Sequence, residues 1–125
     1  MPVLFLGQVS IKMKNLTKEE IKMNSIITKL SGVSFDDCQE NINLYGPPAI
    51  TTYELKREPN NPFDPNAIRV GLDPYKFGYV PKSCVKEIAP KMDVGRKFMA
   101  ESVSLNQSSL HDIVGMTVKI TEINN

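Results

Sequence analysis

The chain reads as a mainly-β domain of the α+β type, a small barrel or sandwich of short antiparallel strands with one or two short helices. Short runs of alternating apolar and polar residues recur along its 125 residues. Each is bounded by Gly, Pro, Asn or Asp, the residues that punctuate strands. Three of the nine prolines fall within the single stretch Glu58–Asn66, which therefore belongs to neither a ladder nor a helix interior.

The elements follow in order. Val9, Ile11 and Met13 alternate with Ser10, Lys12 and Lys14, as in a half-buried strand. Thr17 with Glu20 three residues on is a capping box that opens a helix. Met23, Ile26, Ile27 and Leu30 keep helical spacing, while Ile27, Val33 and Phe35 also suit one face of a strand. The helix is expected to end near Asn24 and a strand to run to about Phe35. Asp36–Pro48 is polar and turn-rich and reads as a loop. Strands are expected over Ile50–Arg57, with Tyr53 and Leu55 on one face, and over Ala67–Leu72, with Ile68, Val70 and Leu72 in phase. Asp73-Pro74 makes a turn into a short strand, Phe77–Val80. A short helix over about Ser83–Ala89 is stopped by Pro90. Asp93-Val94-Gly95 then turns the chain into a strand through Leu105, Asn106–Ser109 is a polar loop, and the alternation Val114, Met116, Val118, Ile120 gives the last strand.

The length fits one domain with a core of its own. Two separated cysteines, Cys38 and Cys84, form neither a zinc cluster nor a disulfide framework. Val3–Leu6 is too short for a signal peptide, and no run approaches a membrane span. A reducing, cytoplasmic setting with two free thiols is the expectation. The net charge is only +1, with five Lys against two Glu in residues 1–30 and a slightly acidic remainder. Non-specific duplex binding draws its affinity from a basic stripe, so any nucleic-acid site here must be local.

Catalytic patterns are absent. His111 is the single histidine, in a polar loop beside Asp112, and reads as solvated. No Gly-rich phosphate cradle, metal-ligand cluster or nucleophile elbow occurs, so neither an active site nor a cofactor is expected. Met13, Met23, Met92, Met99 and Met116 read as core filler. Lys12, Lys14, Lys18 and Lys22 read as a solvated face, and Arg57 with Glu58 as a surface pair.

One segment says more. It runs Leu55-Lys56-Arg57-Glu58-Pro59-Asn60-Asn61-Pro62-Phe63-Asp64-Pro65-Asn66-Ala67-Ile68-Arg69-Val70 and continues at Phe77-Gly78-Tyr79-Val80-Pro81-Lys82. On residue type alone, Asn61–Asn66 is a rigid turn with Asp64 capping backbone amides, and Phe35 and Tyr79 are core aromatics. The segment resembles the HIRAN domain, however, whose pattern is L-x-R-E-P, then N-P-[YF]-D-x-N-A-I-x-V, then G-[YH]-[VL]-P-[KR] and a short helix. Gly32-Val33-Ser34-Phe35 is similar to that family's opening turn. The resemblance covers about Ile26–Ile123, which sets the domain at 26–125 and leaves 1–25 as an extension, expected to pack on the domain through its apolar faces.

The resemblance implies a partly open, OB-like barrel. Such domains occur fused to DNA-remodelling helicases and nucleases and alone in bacteria and phages, so a DNA repair or remodelling role beside a separate helicase or nuclease chain is expected. It implies a non-enzymatic pocket for the 3′ end of single-stranded DNA. By matching positions with a vertebrate member, Phe63 lies beside the terminal base and Asp64 accepts a hydrogen bond from the 3′ hydroxyl. Phe35 packs on the end nucleotide, Tyr79 stands near the DNA backbone and Lys82 near a phosphate. Ser34 stands where that member has an arginine reaching phosphate, so this cation is missing. The alternatives are a protein-interaction module whose DNA pocket has decayed and, more remotely, a small hydrolase or nuclease.

Overall fold

The computed structural model describes residues 25–107 and 112–123. The strand over Val9–Met13, the Thr17–Glu20 capping box, the face of Lys12, Lys14, Lys18 and Lys22, the expected packing of the N-terminal extension and His111 lie outside the described residues. The elements are β1 (Ser25–Lys29), α1 (Cys38–Tyr45), β2 (Thr52–Arg57), β3 (Ile68–Leu72), β4 (Tyr75–Tyr79), α2 (Lys82–Asp93), β5 (Lys97–Gln107) and β6 (Val114–Ile123). All six strands form one antiparallel sheet in the order β1-β6-β5-β2-β3-β4. The sheet curls until its two edges touch. Just beyond β1, Ser31 pairs with Tyr79 at the end of β4, through Ser31 N–H to Tyr79 O at 2.8 Å and Tyr79 N–H to Ser31 O at 2.9 Å. This is the expected partly open barrel, closed by a single bridge.

The alternation read from the sequence fills the interior. Tyr53, Ile68, Val70, Phe77, Met116, Val118 and Ile120 are buried, joined by Val85, Ile88 and Ala89 from one face of α2. The rings of Tyr53 and Phe77 meet edge to face at 4.9 Å, the geometry favoured by the ring quadrupoles. Tyr53 keeps its hydroxyl satisfied by donating to Ile50 O at 2.6 Å. Met92 packs partly buried against this core.

Several expectations are corrected. The first strand stops at Lys29 instead of reaching Phe35. Leu30 N–H still donates to Met116 O on β6, but at Ser31 the backbone changes partner to β4 and then turns, Phe35 N–H donating to Gly32 O. Part of the expected loop Asp36–Pro48 is helix α1. Cys38 and Ile42, spaced to share a helical face, are buried there. Polar side chains of α1 bond the rest of the fold: Asn41, a weak helix former, donates through Nδ2 to Lys76 O, and Gln39 bonds both Val33 and Val114. Tertiary contacts thus override propensity.

Helix α2 does not stop at Pro90, which sits inside its last turns. It ends on Gly95, in the left-handed region at φ 97°. Gly95 N–H donates to Met92 O and Arg96 N–H to Lys91 O, the paired bonds of a Schellman ending. Asn106 and Gln107, expected in a loop, extend β5, with Asn106 Nδ2 donating to Thr117 Oγ1 across the hairpin. Arg57 and Glu58 do not pair with each other. Arg57 forms a two-pronged ion pair with Asp93 on α2, while Glu58 turns towards Tyr79.

Gly78 lets the edges meet. A Cβ at this position would lie 2.8 Å from Ser31 O and 3.2 Å from Leu30. Gly78→Ala is therefore expected to push the seam apart and cost about 1–3 kcal/mol, as overpacking does. In thermal unfolding this should lower Tm by several degrees, and amide exchange at Ser31 and Tyr79 should rise more than at the β5–β6 hairpin.

Candidate nucleic-acid interface

The seam builds a cavity at one end of the barrel. Ser31 is followed by Gly32, Phe35 and Asp36, and Tyr79 by Val80 and Lys82, so bridging the two edges sets both groups face to face. The third wall is the loop between β2 and β3. Together these segments enclose about 620 Å³. All five residues singled out from the sequence, Phe35, Phe63, Asp64, Tyr79 and Lys82, line this one cavity.

The proline-rich loop is held at every turn. Glu58 N–H donates to Ala67 O at its neck, Asn61 N–H to Glu58 O, and Ala67 N–H to Asp64 O. Asn61 organises the tip: its Oδ1 accepts from Phe63 N–H at 2.8 Å and Asp64 N–H at 3.2 Å, while its Nδ2 donates to Glu58. Arg57 anchors the far side by donating to Pro65 O and Ala67 O. Asp64 Oδ1 accepts from Asn66 N–H at 2.8 Å, the local bond expected of a turn aspartate. Among the described residues this engages one carboxylate oxygen of Asp64 and leaves the other turned to no protein donor.

Phe35 and Tyr79 differ from the core role their residue types suggested, and Phe63 stands out from its turn. Phe63 is 90% exposed and Phe35 68% exposed. Tyr79 is half-buried, with its hydroxyl donating to Glu58 Oε1 at 2.8 Å. Burial pushes the Tyr79 phenol up, and donation to the Glu58 carboxylate pushes it further. For Glu58 itself, burial raises the carboxyl. Hydrogen bonds from Asn61 and Tyr79, with the charges of Arg69 and Lys76, outweigh this and hold it below the ordinary carboxylate value. Glu58 therefore stays ionised and ties the loop to the seam.

Sequence reasoning missed Lys76. Its Nζ lies 2.6 Å from Asp36 Oδ2 and 5.1 Å from the centre of the Tyr79 ring. Burial draws its ammonium down, but the hydrogen bond to Asp36, the neighbouring Tyr79 oxygen and the Asp36 charge together outweigh this and hold it above the ordinary lysine value. Regular alternation would put Lys76 and Tyr79 on opposite faces of β4. The register breaks between them, with Val70 opposite Gly78 but Gly71 opposite Lys76. This bulge brings both side chains to the cavity, re-aiming one as bulges do. Ser34 is exposed and supplies no charge. The lining thus carries two lysines, Lys76 and Lys82, against two aspartates, Asp36 and Asp64.

Among the described residues, no three His, Cys, Asp or Glu side chains gather to hold a metal ion. No described helix is long and apolar enough to cross a membrane. Cys38 is buried and Cys84 half-buried, both as free thiols, and burial pushes the Cys38 thiol up.

The fold has known counterparts. The crystal structure of the HIRAN domain of human HLTF superposes with a TM-score of 0.55 at 20% identity, over 80% of this chain and 75% of that one. A Lactobacillus plantarum protein solved as a structural-genomics target superposes with a TM-score of 0.58 at 22% identity, over 80% of this chain and 93% of that one. These likenesses show a shared fold. No curated protein matches the chain. The family model for the HIRAN domain matches residues 25–121, from the first described strand into the last, and on that match the chain belongs to the HIRAN domain family.

Proposed function

We propose that this domain captures the 3′-hydroxyl end of single-stranded DNA in the cavity, with Phe35, Phe63, Asp64, Tyr79 and Lys82 as its contact residues. HIRAN domains are DNA-binding modules, and the finer reading rests on Phe63. A phenylalanine held 90% exposed on a loop pinned by Asn61 and Arg57 leaves unrealised the roughly 1.5–3 kcal/mol that burying such a side chain yields. A base stacked on it recovers roughly 1–3 kcal/mol, with Phe35 on the same cavity as a second platform. The unengaged oxygen of Asp64 can accept a hydrogen bond from a terminal hydroxyl, since an ionised carboxylate only accepts. The same charge repels a 3′ phosphate, so the pocket favours an unmodified end. Lys82, exposed at the start of α2, faces the preceding phosphates.

In this reading the module binds without turnover or cofactor. Its place is DNA repair or remodelling in the cytoplasm, presenting ends to a helicase or nuclease carried on another chain. One observation favours a second reading, a protein-interaction module: the two lysines and two aspartates of the lining leave it without net positive charge, which suits an apolar protein segment as well as a strand.

Fluorescence anisotropy with short oligonucleotides separates the two. A 3′-hydroxyl single strand is expected to bind more tightly than its 3′-phosphate counterpart or a blunt duplex. Asp64→Asn keeps an acceptor for Asn66 N–H, so Tm should hold while the gap between hydroxyl and phosphate ends narrows. The lost charged hydrogen bond corresponds to about 1.5–3 kcal/mol. Phe63→Ala should leave Tm unchanged and weaken every single strand by roughly 1–3 kcal/mol. Lys82→Ala should flatten the dependence of log affinity on log salt by about 0.7. A lowered Tm for Asp64→Asn with unaltered end preference would make Asp64 a turn residue and return the function to the interaction module.

A further inference from the structure

Lys76 is a cation that the contact set above leaves unused. The pair it forms with Asp36 is asymmetric. The lysine side chain is 22% exposed, whereas the aspartate is 69% exposed. Lys76 is fixed by the bulge in β4, by Asn41 holding its carbonyl, and by the Tyr79 ring beneath its ammonium. Asp36 instead stands on the turn between the seam and α1 with its carboxylate mostly in water. Solvent screens an exposed carboxylate of this kind, so its hold on the lysine is weak. Both groups line the cavity. An anion entering there meets a charge that the fold holds in place, covered by a counter-charge that it does not.

We propose that Lys76 is a phosphate-binding cation of the pocket and that Asp36 masks it until a bound strand displaces the carboxylate, an inference that rests on the single-stranded DNA reading above. The mask gives the pocket a threshold. A lone phosphate must compete with Asp36 unaided, whereas a strand already stacked on Phe63 and Phe35 brings its phosphate to the lysine at high effective concentration. Charge readout is thereby made conditional on base stacking.

The test is a double-mutant cycle read by anisotropy with a 3′-hydroxyl oligonucleotide across a salt series, with Tm measured for each variant. Lys76→Gln is expected to weaken binding roughly fivefold at low salt and to flatten the log–log salt slope by about 0.7, while Lys76→Arg keeps both near the wild-type values. Asp36→Asn should tighten binding several-fold in the wild type. That gain should shrink to under about twofold in the Lys76→Gln background, the coupling expected of groups in direct contact. An equal gain in both backgrounds would show that Asp36 acts by simple repulsion and would overturn the mask. A folded Lys76→Gln with unchanged affinity and slope would overturn the role of Lys76. If the wild type binds and Phe63→Ala weakens it in either of these cases, only the present inference fails. If the wild type binds no single strand, the DNA reading fails and this inference with it.

Discussion

Two backbone hydrogen bonds between Ser31 and Tyr79 set where everything functional in this domain can be. An antiparallel sheet of six strands has two edges, and each is a row of unpaired donors and acceptors. Here the curl of the sheet brings the edges together, and one bridge joins them. The bridge needs backbone at contact distance, which is why residue 78 has no side chain. Past the bridge the two chains diverge, one into the turn towards α1 and the other into Pro81 and α2. The cavity is the space left between them, so the site follows from incomplete closure of the barrel.

Rigidity is supplied from the side. Glu58 accepts from Asn61 in the loop and from Tyr79 at the seam, with Arg69 of β3 nearby. Asn61 in turn fixes the backbone of Phe63 and Asp64, and Arg57 clamps the loop to α2 through Asp93. The backbone that carries a large aromatic is thereby fixed while its ring stands in water. Ordering a side chain or loop at the moment of binding costs affinity. In this loop most of that ordering is complete before a ligand arrives.

Much of the barrel was legible because its strands obey the two-residue alternation. Tyr53, Ile68, Val70, Met116, Val118 and Ile120 fall inside where the pattern puts them. What was not legible is where tertiary contacts overrule local preference. The asparagine-rich stretch holding Asn41 and Asn43 reads as a loop, and becomes helix because Cys38 and Ile42 are buried and Asn41 bonds the barrel. Pro90 reads as a stop, yet the actual stop is the turn at Gly95. The five contact candidates came from a family resemblance; residue type alone would have buried Phe35. Lys76 was hidden by the bulge, since a register change in β4 leaves no mark on composition or spacing.

The central claim is that the cavity bounded by the seam and the Glu58–Ala67 loop receives the terminal nucleotide of a single strand. A crystal structure of the protein with a short 3′-hydroxyl oligonucleotide tests it most directly. The account predicts the terminal base against Phe63, the terminal 3′ oxygen within hydrogen-bond distance of Asp64, and no change in the loop or the Ser31–Tyr79 bridge. A strand bound on another face of the barrel, or a terminus lying outside the cavity while its internal nucleotides fill it, would contradict the account.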